Sequence, residues 1–200
     1  MTKAINADHP VHDLIAARWS PVGFSARPVP LEDLCSLFEA ARWAASSYNE
    51  QPWSFIVATK DAPADFERVL SCLVDANQAW ARSASVLVLG CTSLRFERNG
   101  KANTAATHDL GLAVGNLSLE ATARGLSVHQ MIGILPDKAR DLFNVPEGVQ
   151  VLTALAIGYA ADPDSLPDHL RQRDTATRQR KKLSAFVFAG KWGAASQQIV

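Results

Sequence analysis

The sequence predicts an α+β fold in which helices flank a central sheet. Three observations carry that expectation. Helical and strand patterns alternate along the chain. The run Ser85-Val86-Leu87-Val88-Leu89-Gly90 is nearly continuously apolar, as in a strand covered on both faces. Between Thr104 and Arg124, Leu110, Ala113, Val114, Leu117 and Ala121 repeat at helical spacing, while Leu112 and Leu119 add apolar surface elsewhere. That helix is expected to be buried on several sides.

The elements follow in order. Residues 11–18 fit a short helix ending at Arg18, with Pro21 and Gly23 breaking the pattern. A helix is expected from Leu31 to Ala45. Pro30 sits in its first turn, Glu32 and Asp33 complement the dipole, and Leu34, Leu37, Phe38 and Ala41 form one stripe. A polar turn through Ser46, Ser47 and Asn49 leads to a strand, Trp53–Thr59. Asp61 is placed to cap the next helix, with Pro63 near its start. Gly125 stops the long helix, and Arg124 meets its negative end. A strand near Ser127–Ile132, a short helix after Pro136 and a strand Gln150–Tyr159 complete the alternation. Residues 161–174 turn polar and proline-bearing, which predicts an exposed loop.

The chain has 200 residues, 48% of them hydrophobic and 20% charged, with zero formal net charge. One domain over 1–200 is expected, with no global attraction to nucleic acid or an anionic membrane. Cys35, Cys72 and Cys91 lack metal or redox spacing and read as reduced thiols. No secretory signal pattern or membrane-length apolar run occurs, so the cytoplasm is the expected compartment. Phe186, Phe188 and Trp192 make 183–200 an aromatic tail, expected to be an arm on a partner subunit.

Several residues carry candidate chemistry. Small hydroxyl and amide groups at Ser46, Ser47 and Asn49 can hydrogen-bond a polyol or a ring edge; they can equally end a helix and make an Asx turn. Arg171, Arg173, Arg178, Arg180, Lys181 and Lys182 form the densest charge run, which serves a solvated face or a phosphate clamp. A nucleic-acid patch is disfavoured, because interleaved aromatics are lacking. His108 and Asp109 read as anchors of the long helix rather than metal ligands.

The segment A-R-W-A-x-S-S-x-N-x-Q-P-W, Ala41 to Trp53, resembles the signature of the nitroreductase-like FMN oxidoreductases. The likeness extends to Arg18-Trp19-Ser20-Pro21 and Phe24, Asn77-Gln78-Ala79-Trp80, His108-Asp109-Leu110-Gly111 and Gly125 through Met131. It continues to Arg178-Gln179-Arg180-Lys181 and Gly190-Lys191-Trp192-Gly193. The resemblance implies the nitroreductase-like sandwich, a mostly antiparallel sheet flanked by helices. It implies a homodimer in which FMN lies at the subunit interface, held mainly by one subunit and reached by the Ser46–Asn49 turn of the other.

By the same resemblance Arg18, Trp19 and Ser20 serve the phosphate and ribityl chain, with Arg178 and Arg180 as the C-terminal cations. Ala45, Ser46, Ser47, Asn49 and Asn77 border the flavin. Backbone amides of Gln130, Met131, Ile132 and Gly133 face its N5–O4 edge, where Gly133 permits close approach. Two departures stand out. Val22 occupies a position where many members carry Arg or Lys, with Arg27 and Lys191 as possible substitutes. Ala45 replaces a common proline.

The function implied is transfer of reducing equivalents from NAD(P)H through FMN to a nitroaromatic, quinone or other conjugated acceptor, by a ping-pong mechanism. Alternatives are flavin fragmentation, reductive dehalogenation or a low-turnover flavin-binding module. No G-x-G-x-x-G follows a strand, so no dedicated dinucleotide site is expected. No side chain is assigned as acid or base, and no metal or membrane partner is expected.

Overall fold

The computed structural model describes residues 5–198. Its elements run α1 (Asp13–Ala17), α2 (Leu31–Arg42), β1 (Trp53–Thr59), α3 (Pro63–Leu70), α4 (Asp75–Ala81), β2 (Val86–Ser93), α5 (Ala106–Ala123), β3 (Ser127–Met131), α6 (Pro136–Phe143), β4 (Val149–Gly158) and α7 (Asp168–Thr175). The four strands order as β1-β2-β4-β3, and every neighbouring pair is antiparallel.

Strand alternation divides the core in two. Leu87, Leu89 and Cys91 of β2 join Ala154 and Ala156 of β4 on one face, where α3 and α4 supply Phe66, Val69, Leu70 and Trp80. Val86 and Val88 join Leu155 and Ile157 on the other, under Leu34 and Leu37 of α2 and Leu110, Val114 and Leu117 of α5. That two-sided burial is why β2 reads as a continuous apolar run. Cys72 and Cys91 are both buried, and burial pushes the Cys91 thiol up to about 11.

Several local expectations need correction. Helix α2 stops at Arg42 rather than Ala45, because the chain turns off at Trp43, whose amide reaches back to Ala40 O and Ala41 O. Asp61 does not cap α3: Ala62 is the N-cap and no side-chain bond is made there. Pro63 in the first turn removes one of the amides that a cap would have satisfied. The segment 161–174 is not simply an exposed loop. It holds a 3-10 turn, Pro163–Ser165, and most of α7, and its Asp174 is only 5% exposed. Helix α4 went unread in the sequence because its seven residues are too few to show a period.

After a 3-10 turn, Leu183–Ala185, the tail folds into a small hairpin. Phe188 pairs with Ala195, Gly190 and Gly193 take positive φ, and the Phe188 and Trp192 rings lie 5.2 Å apart. Trp192 is 92% exposed. The last two residues of the expected arm, 199–200, lie outside the described residues.

Candidate functional site

Arg18 closes α1 and is half-buried, with its Nη1 3.3 Å from Ser20 Oγ. It borders a cavity of about 980 Å³ whose lining includes Ile15, Arg178, Arg180, Lys181 and Phe186. Burial, and then the charge of Arg180, hold the Arg18 guanidinium below its usual pKa. Arg178 is lowered in the same way, by burial and then by Arg18 and Arg180. Among the described residues no carboxylate forms an ion pair with Arg18 or Arg180. Asp8 also lines the cavity without ion-pairing to either arginine, and crowded cations left unpaired in this way are stabilised by an anion from outside the chain, a demand that a phosphate fits.

The two C-terminal arginines are not equivalent. Arg178 Nη1 donates to Ala16 O at 2.6 Å, and its Nη2 donates to Arg18 O at 2.8 Å. Arg180 is exposed and its Nη1 donates only locally, to Gln179 O at 2.7 Å. Four residues before Arg178, the Asp174 carboxylate accepts the amides of Val22 and Gly23, both at 2.9 Å. The segment 16–23 is therefore fastened at both ends by 174–178. A Cβ on Gly23 would meet Leu166 Cδ1 at 2.4 Å, so that side chain would have to shift. Sequence reasoning missed Asp174, since a contact across about 150 positions leaves no local signal.

Val22 is 2% exposed and packs in the core, so its side chain does not stand in the basic cavity. Of the possible substitute cations, Arg27 stacks 3.7 Å over the Tyr159 ring, and Lys191 is exposed in the tail hairpin. His129 Nδ1 donates to Pro21 O at 2.7 Å, and its ring lies 4.4 Å from that of Trp80. Burial is the main reason its pKa falls below the usual histidine value. Trp19 is half-buried beside Arg18 in sequence.

The serine turn forms a second place. Ala45, Ser46 and Ser47 line a pocket of about 250 Å³ with Ala105, His108, Asp109 and Leu112. Ser47 N donates to the buried Asp109 Oδ2 at 3.0 Å, Gln51 N donates to Ser46 Oγ at 3.0 Å, and Asn49 is exposed. This pocket shares no lining residue with the basic cavity. One chain does not bring the two sets together.

Gln130 and Met131 end β3, with Met131 buried and Gln130 Nε2 donating to Ser118 Oγ at 3.1 Å. Ile132 is 80% exposed, and Ile134 N closes a tight turn on its carbonyl at 2.9 Å. What approaches Gly133 closely is Asn77. A Cβ there would meet Asn77 Nδ2 at 2.5 Å, and that nitrogen donates to Gly133 O at 3.0 Å. Asn77 thus ties α4 to the strand end. A neighbouring side chain therefore occupies the space beside this glycine.

The nitroreductase family model matches residues 15–159. The chain belongs to the nitroreductase family. A solved structure described as an oxidoreductase containing FMN is 33% identical, with a TM-score of 0.88 over 94% of this chain and 96% of that one. The major NAD(P)H-flavin oxidoreductase of Aliivibrio fischeri is 34% identical over 192 residues, covering 76% of this chain and 88% of its own. The NADH dehydrogenase of Thermus thermophilus is 29% identical over 169 residues, covering 71% and 82%. This nitroreductase-family protein is accordingly an NAD(P)H-dependent oxidoreductase that uses FMN. Its fold is the α+β nitroreductase fold. Among the described residues no helix is long and apolar enough to cross a membrane, and no group of His, Cys, Asp and Glu is arranged to hold a metal ion.

Proposed function

We propose that this nitroreductase-family enzyme passes reducing equivalents from NAD(P)H to a nitroaromatic, quinone or other conjugated acceptor in a ping-pong cycle, both substrates using one flavin face in turn. When bound, FMN supplies the two-electron chemistry. The observation that carries the reading is the approach of Arg18 and Arg180 at a cavity, where no carboxylate among the described residues forms an ion pair with either.

In this reading Arg18 and Arg180 hold the phosphate, and Ser20 adds a hydroxyl. Arg178 and Asp174 keep the 16–23 segment in place. Asn77, Gln130, Met131, Ile132 and Gly133 present the strand end to the ring. Trp19 flanks the phosphate segment. Ala45, Ser46, Ser47 and Asn49 serve the flavin of a second subunit, which accounts for the first three lining a separate pocket on one chain. The exposed Trp192, Phe186 and Leu112 are apolar surface for that homodimer. Three free cysteines suit a reducing compartment such as the cytoplasm.

The test is a bisubstrate initial-rate study of the FMN-loaded protein, varying NAD(P)H against a panel of nitroarenes and quinones. Parallel double-reciprocal lines are expected. Intersecting lines, or bleaching by NAD(P)H with no reoxidation by any acceptor, would overturn the reading.

A further inference from the structure

The turn after α2 holds three non-glycine residues at positive φ: Tyr48 at 56°, Asn49 at 56° and Gln51 at 52°. Side chains with a Cβ adopt that region at a cost, so something must hold them there. Gln51 N on Ser46 Oγ and Gln51 Nε2 on Asn49 O close the turn internally, at 3.0 and 3.1 Å. The result is that Tyr48 stands 75% exposed immediately beyond Ser47, which lines the smaller pocket.

A second element meets it. Residues 95–102 form a tight hairpin: Arg95 pairs with Ala102, Phe96 N donates to Lys101 O at 2.8 Å, and Gly100 supplies the positive φ. Phe96 meets Tyr48 edge-to-face, with centroids 5.8 Å apart and planes at 85°. The Arg98 guanidinium lies 4.2 Å from the Tyr48 centroid and 5.3 Å from that of Phe96. The Glu50 carboxylate accepts the Glu97 amide and joins turn to hairpin. Among the described residues no carboxylate pairs with Arg98. Little of this arrangement is buried, so stability does not explain the backbone cost.

We propose that Tyr48, Phe96 and Arg98 form the acceptor subsite, and that it selects flat aromatic acceptors carrying a carboxylate or similar anionic group. The inference rests on the reading that the Ser46–Asn49 turn borders a flavin. Aromatic rings take a planar substrate edge-on or offset. A guanidinium laid on a ring keeps its outer edge for a carboxylate, which it holds in bidentate fashion. The hairpin and the strained turn fix both groups before the acceptor arrives, so little ordering remains to be done on binding.

The experiment uses the FMN-loaded enzyme and two probes, 4-nitrobenzoate and nitrobenzene. Binding to the oxidised protein is followed through the flavin absorbance, and turnover with NAD(P)H gives kcat/KM for each. Wild type is expected to favour nitrobenzoate in both measurements. Arg98→Gln is expected to lower the nitrobenzoate-to-nitrobenzene ratio about tenfold, the loss of one charged contact. Arg98→Lys is expected to restore part of it, and added salt to narrow the wild-type preference. An unchanged ratio in Arg98→Gln with FMN bound, or no wild-type preference for the anion, would overturn the subsite. Absence of turnover with both probes would instead sink the proposed reaction, and the binding titration would still decide the subsite.

Discussion

Arg178 Nη2 donates to the carbonyl of Arg18 at 2.8 Å, and its Nη1 to that of Ala16 at 2.6 Å. Arg178 lines the cavity, but these two bonds commit its guanidinium to main-chain carbonyls. Arg18→Ala and Arg180→Ala are therefore expected to weaken FMN binding by about 1.5–3 kcal/mol each, as for loss of a charged hydrogen bond. Riboflavin, which lacks the phosphate, should bind these variants almost as before. Arg178→Lys keeps the charge but loses the two-pronged grip, so it should weaken both ligands. Fluorescence titration with the two flavins decides the matter. A selective loss of FMN in Arg178→Lys would move that residue onto the phosphate.

Asp174 makes two amide bonds where an asparagine oxygen can offer only one acceptor side to the pair. The Asp174→Asn variant leaves an amide donor facing a buried N–H, and should lose about 1–3 kcal/mol of stability. Because Val22 and Gly23 lie two and three residues after Ser20, FMN affinity should fall with it. Urea unfolding of the FMN-free protein, set beside an FMN titration, reads both. Wild-type stability in the variant would show that the clamp contributes nothing.

His129 gives the pH dependence its sign. Its native pKa is depressed, chiefly by burial, below the unfolded value near 6.5. The unfolded chain therefore binds the extra proton first as pH falls. The stabilisation held by neutral His129 is complete above about pH 6.5 and is lost as pH drops toward the native pKa. In His129→Gln the stability curve should be flatter below pH 6.5 than in wild type. Parallel curves in chemical denaturation would remove His129 as the cause.

Trp192, 92% exposed, sits at the tip of a tail hairpin. Truncation after Leu183 removes that hairpin and should give a monomeric or aggregation-prone protein with little FMN, while the full chain sediments as a dimer. A monomeric full chain that still retains FMN would contradict both the arm and the shared site.

The patterns that depend on near neighbours were legible in the sequence: the buried β2 run, the many-sided α5, the Ser46–Asn49 turn and the basic run through Arg180. Period and turn chemistry are local, so they survive reading one residue at a time. Three matters belonged to the tertiary structure alone. The Asp174 carboxylate finds Gly23 across 151 positions. Asn77, 56 positions away, packs beside Gly133 and bonds its carbonyl. Val22, at a position where many members carry a cation, is buried in the core. In each case the deciding contact is made only after the sheet has closed and brought distant segments within van der Waals range, and no spacing along the chain encodes it.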